Sequence, residues 1–267
     1  MKSNHCSIFV ISDVHEGHAN SCDSELKKTV RAINEIRSER EVVTILNGDM
    51  IDSITINDKR FNPVEVDDKY KIRDLKDLPR KQADNLIELL KPIKDTIKFA
   101  TVGNHEETYI SYNHFDIYDY YCNELGCEKL GKFALGRIYV RPTKSCNSFT
   151  LNLGITHGAG GGGKSIAYPL TYAYDKFQNY NVDIGITGHI HKLIAHPESR
   201  FGLDMNLNAK EYTKWYCCAG CYLKTHVEGS SNYFEGKGGL LSHIGFLEIK
   251  IDRVHEGYRY KVVEHHL

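Results

Sequence analysis

Short apolar runs alternate with helical patterns over the first two-thirds of the chain, the signature of α/β architecture. Residues 8–12 read as a buried strand. Residues 24–39 read as an amphipathic helix with Leu26, Val30, Ile33 and Ile36 on one face. A second strand covers 42–46. The polar stretch 53–78 has weak periodicity and reads as an irregular insertion at the edge of whatever site the strands build. Pro79 opens a helix to about Leu90, stopped by Pro92. A third strand covers 97–102, followed by a tyrosine-rich helix at 115–125. Residues 149–155 and 182–186 are further strands, with a helix at 167–180 between them. From Ile194 onward the chain turns β-rich, with strands expected at 211–219, 242–251 and 258–263.

Five of the strand-like runs end in a similar way. They lead in turn into Asp13-Val14-His15, Gly48-Asp49-Met50-Ile51-Asp52, Gly103-Asn104-His105-Glu106, His157-Gly158 and Gly188-His189-Ile190-His191. In open α/β sheets, ligands bind outside the carboxyl ends of the strands, so these runs aim Asp, His and Asn into one place. In extended chain, residues i and i+2 share a side, which sets Asp13 beside His15 and His189 beside His191. The glycines before Asp49, Asn104 and His189 are expected to let the chain turn sharply as it leaves a strand. Carboxylate, imidazole and carboxamide form an oxygen and nitrogen donor set without thiolate. Such a set suits Mn²⁺, Fe or Zn²⁺ better than Cu(I) or a structural zinc. Taken singly, each residue has an ordinary reading: a lone histidine as a surface or satisfied core residue, Asp13 or Asp49 as a turn or helix cap. His5, His18, His114, His196, His226, His243 and His255 keep that reading.

The series D-x-H, G-D-x-x-D, G-N-H-E, H-G and G-H-x-H, in this order from Asp13 to His191, resembles the calcineurin-like metallophosphoesterase superfamily. The resemblance implies an αββα sandwich: two mixed sheets packed together, helices on the outer faces and metals at one edge. It also implies two divalent ions, Mn²⁺ first, with Fe, Zn²⁺ or Ni²⁺ as alternatives. One would be held by Asp13, His15, Asp49 and His191, the other by Asp49, Asn104, His157 and His189, with Asp49 bridging. Two ions about 3.5–4 Å apart acidify a bridging water and clamp a phosphoryl group for in-line attack. His105 is then the candidate general acid or charge stabiliser at the leaving oxygen. Asp52 is its expected orienter, with Glu106 as the second choice.

Protein phosphatases of this superfamily carry arginines just after G-D-x-x-D and soon after G-N-H-E. Here those places hold Ser53 and Glu107-Thr108. Without that bidentate grip on a dianion, the resemblance favours a phosphodiesterase, either a nuclease or a cyclic- or oligonucleotide enzyme. The alternative is a phosphomonoesterase acting on small metabolites or phosphoproteins. The glycine-rich layout after H-G also resembles phosphoesterases of phages and prophages. A non-catalytic scaffold is the rival from another class, but such relatives usually lose ligands and none is missing here. Gly158 to Ser165 matches the P-loop expression G-x-x-x-x-G-K-[ST], which keeps a nucleotide-binding loop in view. Against it, His157 is already claimed as a ligand, and the next strand ends in Gly188-His189. Lys164 is instead a candidate contact to a substrate phosphate, with a plain surface loop as the bland reading. Tyr109, Tyr112, Tyr118, Tyr120 and Tyr121 invite base stacking, but aromatics at helical spacing are more often core.

Composition narrows this only at the margins. With 267 residues, 41% hydrophobic content and no obvious linker, one domain over 1–267 is expected, with 53–78 as its insertion. A net charge of −1 argues against holding nucleic acid by bulk electrostatics, although a nucleotide or nucleic-acid ester remains in the substrate class. The basic stretch 69–81 is interleaved with Asp74 and Asp77, and reads as a solvated face. The first apolar run is too short for a secretory segment, and no run approaches a membrane helix. A cytoplasmic, membrane-free protein with eight reduced cysteines is therefore expected. Cys218-Ala219-Gly220-Cys221 has the spacing of half a zinc site, but buried thiols are the plainer reading.

Overall fold

β1 (His5–Ile11) is apolar almost throughout because both of its faces are covered. Its Phe9 and Ile11 enter a core shared with helices, while Cys6, Ile8 and Val10 enter a second core between two sheets. The computed structural model describes residues 4–141, 149–160, 165–203, 206–225, 241–255 and 257–267. The first sheet contains β1, β2 (Glu41–Asn47), β3 (Ile97–Thr101), β4 (Glu128–Lys129), β10 (Gly245–Val254) and β11 (Gly257–His266), in the order β11-β10-β1-β2-β3-β4. Its strands β1 to β4 run parallel, and β10 and β11 join antiparallel. The second sheet contains β5 (Phe133–Val140), β6 (Phe149–Thr156), β7 (Ile184–Thr187), β8 (Leu193–Leu203) and β9 (Ala209–Ala219), in the order β5-β6-β7-β9-β8. Helices α1 (Asp23–Ile36), α2 (Leu78–Leu90) and α4 (Ile117–Leu125) cover the outer face of the first sheet. α5 (Tyr168–Phe177) covers the second, packing Ala173 and Phe177 on Val182, Tyr216 and Cys218. The result is the four-layer αββα sandwich of two mixed sheets. No helix among the described residues is long and apolar enough to cross a membrane.

Two elements carry no clear sequence signal. α3 (Asn104–Asn113) buries only Glu106 and Tyr109, so it shows no apolar stripe. β5 is an edge strand whose residues are mostly exposed, and Gly136 and Arg137 interrupt its pattern. β8 tolerates Pro197 because it too lies at a sheet edge. Tyr109, Tyr118 and Tyr121 are core, as the helical spacing suggested, and Tyr120 stacks under Arg80 at 3.7 Å. Tyr112 is exposed. Cys217, Cys218 and Cys221 are buried free thiols, and burial pushes Cys218 up to about 12.

The 53–78 stretch forms two 3-10 helices, Pro63–Glu65 and Ile72–Asp77, fastened by the backbone bonds Ala19 N–H to Glu65 O and Asp67 N–H to Gly17 O and by buried Glu16. Glu16 is fully buried and accepts from Lys69 Nζ at 2.6 Å, Tyr70 Oη at 2.8 Å and Asn85 Nδ2 at 2.7 Å. Burial raises the Glu16 carboxyl to about 7, so the set is stabilising only while all three donors are in place. Glu16→Ala strips the acceptor from Tyr70 and Asn85 and leaves Lys69 to Asp23 at 2.8 Å, and a loss of about 2 kcal/mol in unfolding free energy is expected from urea titration. A loss below about 1 kcal/mol would mean that this stretch is held mainly by its other contacts.

Candidate metal centre

The parallel strands of both sheets end at one edge of the sandwich, and that is where the motif residues meet. Asp13 and His15 follow β1, Asp49 and Asp52 follow β2, and Asn104 and His105 are the first residues of α3. His157 follows β6, and His189 and His191 follow β7. The backbone is tightly bent here. Asp13, His15, Asp49, His189 and His191 all have left-handed φ, between 48° and 68°. Each such non-glycine residue costs on the order of 1 kcal/mol, so the loops must be held by their neighbours. They are: Asp13 N–H donates to Gly48 O and His15 N–H to Asp49 O, both at 3.0 Å.

The strand-end glycines serve mainly close approach. Only Gly48 has a left-handed φ, +76°, whereas Gly103 has ordinary angles of −94° and 172°. A Cβ on Gly103 would lie 2.1 Å from the Asp49 backbone nitrogen and 2.2 Å from Asp49 Oδ1; one on Gly188 would lie 2.4 Å from Ser12 Oγ. The expected sharp turn is therefore real at residue 48 only. Gly103→Ala would push α3 away from the Asp49 loop, and a fall in turnover of about 100-fold or more is expected from that roughly 1 Å displacement. Turnover within about twofold of wild type would show that the loop yields without consequence.

Each side chain is aimed by a second contact. Asp13 accepts from the His189 N–H at 3.0 Å through Oδ1, and from the Ser12 hydroxyl through Oδ2. Asp49 Oδ1 accepts from the His105 N–H at 2.9 Å, leaving Oδ2 pointing at His157 Nε2, 3.0 Å away, and at His15 Nε2, 3.9 Å away. His157 Nδ1 faces the Asn47 carbonyl at 2.7 Å and His189 Nε2 the Gly160 carbonyl at 2.6 Å. A carbonyl accepts only, so these nitrogens carry the protons, and His157 Nε2 and His189 Nδ1 keep lone pairs for a ligand. His191 Nε2 lies 3.3 Å from Asp13 Oδ1 and 3.2 Å from His15 Nε2.

Lone pairs and carboxylates converging at these distances repel one another unless a cation lies among them. Three clusters among the described residues meet that description: Asp13 with His15 and His191, Asp49 with His157 and His189, and His15 with Asp52 and His105. Burial alone would lower the His157 imidazole, but Asp49 and Asp13 pull it up to about 10, so the pocket strongly favours positive charge, and Nε2 gives up its lone pair to a proton unless a metal ion supplies that charge. Burial holds His15 down to about 4, neutral and able to donate a lone pair. His157 Nε2 and Asn104 Oδ1 are buried and make no hydrogen bond among the described residues. The residues fit divalent ions.

The surroundings of His105 differ from expectation. Its Nδ1 faces the backbone carbonyl of Asp52 at 2.6 Å, while the Asp52 carboxylate stands off at 3.6 Å. The orienting group is thus the peptide oxygen. Glu106 does not orient His105 at all: it accepts from the N–H groups of Met50 at 2.7 Å, Asp49 at 3.1 Å and Gly103 at 3.1 Å. It braces the Asp49 loop against the start of α3, as the acid of a capping box braces a helix start. Ser12, Asn47 and Gly160 also support the site. Sequence pattern carries no mark of them, because two act through backbone carbonyls and a serine at a strand end is common. The beginning of the glycine-rich loop is committed to His189 through Gly160; Lys164 lies outside the described residues.

This is the fold and site of a metal-dependent hydrolase of phosphate esters. The chain belongs to the calcineurin-like phosphoesterase family, whose sequence model matches residues 6–193 and whose members bind divalent metals. No curated protein matches the chain. Solved structures similar to it include Vps29 complexed with Zn²⁺ from Entamoeba histolytica, at 13% identity and TM-score 0.39 over 97% of this chain and 98% of that one. The metallophosphoesterase from Sphaerobacter thermophilus is 12% identical, with TM-score 0.39 over 98% of this chain and 89% of that one. The NAD nucleotidase of Haemophilus influenzae is 12% identical with TM-score 0.44, and here the chain, covered over 98%, spans 50% of that enzyme. At such identities and scores these likenesses carry no argument about substrate.

Proposed function

We propose that the protein is a dinuclear phosphodiesterase acting on nucleotide-type esters. Asp13, His15 and His191 would hold one divalent ion, and Asn104, His157 and His189 the other, with Asp49 shared. The observation that carries the dinuclear reading is the position of Asp49 Oδ2, which faces His157 of one cluster and His15 of the other. Mn²⁺ fits a donor set of carboxylate, imidazole and carboxamide without thiolate. When bound, the ions supply Lewis-acid polarisation of a phosphoryl oxygen and acidify water.

The chain's own residues do the rest. Asp49 and Asp13 hold the negative charge that recruits the ions. His105, with Nδ1 tied to the Asp52 carbonyl, presents Nε2 as the atom that holds and delivers a proton to the leaving oxygen. The preference for a diester rests on the positions where a dianion clamp is missing. Ser53 is buried and its N–H is spent on Gln82 at 2.8 Å, and Glu107 is occupied with Lys132 at 2.6 Å. The test is hydrolysis of bis(p-nitrophenyl) phosphate beside p-nitrophenyl phosphate by the Mn²⁺-loaded protein. Faster diester turnover is expected. Faster monoester turnover would sink the diester preference and send the search to phosphorylated metabolites.

A further inference from the structure

α4 ends on a pair of cysteines that the metal centre does not use. Gly126, with φ 73°, stops the helix, and its N–H donates to the carbonyls of Cys122 at 2.8 Å and Asn123 at 3.1 Å. The Cys127 N–H then reaches back to the same Cys122 carbonyl at 3.0 Å. In a glycine-ended helix closed this way, the residue after the glycine lies over the one five positions before it, and their side chains meet. An apolar pair usually fills those places; here both are thiols. Cys122 is buried in the core beneath α4, and half-buried Cys127 packs against the same core. Two residues joined by a backbone bond of this kind have the short Cα separation, about 4.4–6.8 Å, that a disulfide spans.

These sulfur atoms also differ from other thiols of the chain in what they bond. Cys22, Cys218 and Cys221 give their S–H groups to the backbone carbonyls of Asn20 at 3.7 Å, Pro169 at 3.2 Å and Leu223 at 3.5 Å. The Cys122 S–H instead donates to Cys127 Sγ. That bond and burial push the Cys122 thiol up, while the same bond holds Cys127 below the usual thiol range. The more exposed residue is thus the one that forms thiolate more readily, with a second thiol in contact. Thiolate is the form of cysteine that attacks oxidants. The pair is set apart from the metal ligands: Glu128 pairs with Phe99 near the start of β3, whereas Asn104 follows its end.

We infer that Cys122 and Cys127 form an oxidant-sensitive dithiol, which a hydroperoxide closes into a disulfide across the end of α4. In the first step the Cys127 thiolate attacks one oxygen of hydrogen peroxide. The S–O bond forms, the O–O bond breaks, and hydroxide leaves and takes up a proton as water. In the second step the Cys122 sulfur attacks the sulfenic sulfur of Cys127. The S–S bond forms, the S–O bond breaks, and the Cys122 proton goes to the departing hydroxide. Two thiols and one hydrogen peroxide thus give one disulfide and two waters, and an external dithiol restores the pair. The inference stands on the end of α4 alone and is independent of the phosphodiesterase reading.

Trypsin releases both cysteines, and no others, in the peptide 99–129, while Cys217, Cys218 and Cys221 share the peptide 215–224. The test is a short exposure of the full chain to stoichiometric hydrogen peroxide, then N-ethylmaleimide in denaturant and mass analysis of the tryptic peptides. Wild type is expected to yield peptide 99–129 two hydrogens lighter and without maleimide, before peptide 215–224 changes. Dithiothreitol added before the label should restore maleimide at both cysteines. Cys122→Ala should stop at a Cys127 sulfenic acid that dimedone traps, and Cys127→Ser should slow oxidation of Cys122 by about tenfold or more. Maleimide at both cysteines after peroxide, or oxidation no faster than that of peptide 215–224, would overturn the inference. So would a wild-type Cys127 that accumulates sulfinic acid in place of the disulfide, because Cys122 would then fail to reach it.

Discussion

Asp49→Ala is expected to lower phosphodiester turnover by about 10³-fold or more and to leave the protein unable to retain two divalent ions. A thousandfold loss corresponds to about 4 kcal/mol of transition-state stabilisation, the scale of a lost Lewis-acid contribution. The reason is the double use of this carboxylate. Oδ1 accepts from the His105 N–H at 2.9 Å, which joins the β2 loop to the start of α3. Oδ2 stands 3.0 Å from His157 Nε2 and 3.9 Å from His15 Nε2, between the two donor clusters. Burial would raise its pKa, but His157 and then His105 hold it well below the usual carboxylate range, so the group is an anion at neutral pH.

Alanine removes the shared charge and the contact to α3 together, whereas Asp49→Asn keeps the acceptor at Oδ1 and removes mainly the charge. Both variants should lose metal in elemental analysis after desalting, and Asp49→Asn should keep wild-type circular dichroism. Retention of more than about a tenth of wild-type turnover at saturating Mn²⁺ by either variant would remove Asp49 from the shared position. Loss of turnover with both ions still bound would instead make it a residue of the chemical step.

The difference between Asp49 and Glu106 shows what a sequence discloses about such a site. Asp49 was legible because it ends an apolar strand and belongs to a spaced set. The side chains of Asp13, His15, His157, His189 and His191 were legible on the same ground, and they fall into close clusters. Glu106 sits in a motif too, yet its work is to accept four backbone N–H groups, a task that depends on where two loops pass each other. The Asp52 carbonyl and the Gly160 carbonyl are equally hidden, since every residue has a carbonyl and only its fold-given direction matters. α3 escaped for a related reason: it is held by caps and by the Asp49 loop more than by an apolar stripe. The glycines mark a subtler failure. Their need was visible, but Gly103 and Gly188 answer to atoms of other loops, which no local rule about turns could supply.

His105→Ala is the variant that separates chemistry from metal binding. Its turnover is expected to fall about 10²- to 10³-fold with two divalent ions still bound. The geometry behind this is one-sided. Nδ1 is committed to the Asp52 carbonyl at 2.6 Å, which leaves Nε2 as the nitrogen that can meet substrate. Burial opposes charge on this ring, but Asp49 and Asp52 outweigh it and raise its affinity for a proton. A group that delivers a proton matters most where the departing oxygen is a poor leaving group. The loss should therefore be larger for an alkyl-type leaving group, as in a dinucleotide, than for p-nitrophenolate, which leaves without help. The dependence of log kcat on leaving-group acidity should steepen in the variant. Equal losses for both esters would mean that His105 steadies the phosphoryl group and transfers no proton, and loss of metal would mean it is a ligand. Because the orienting atom is a peptide oxygen, Asp52→Asn should cost no more than about tenfold. A cost comparable to that of His105→Ala would return the orienting role to the Asp52 carboxylate, 3.6 Å from the ring.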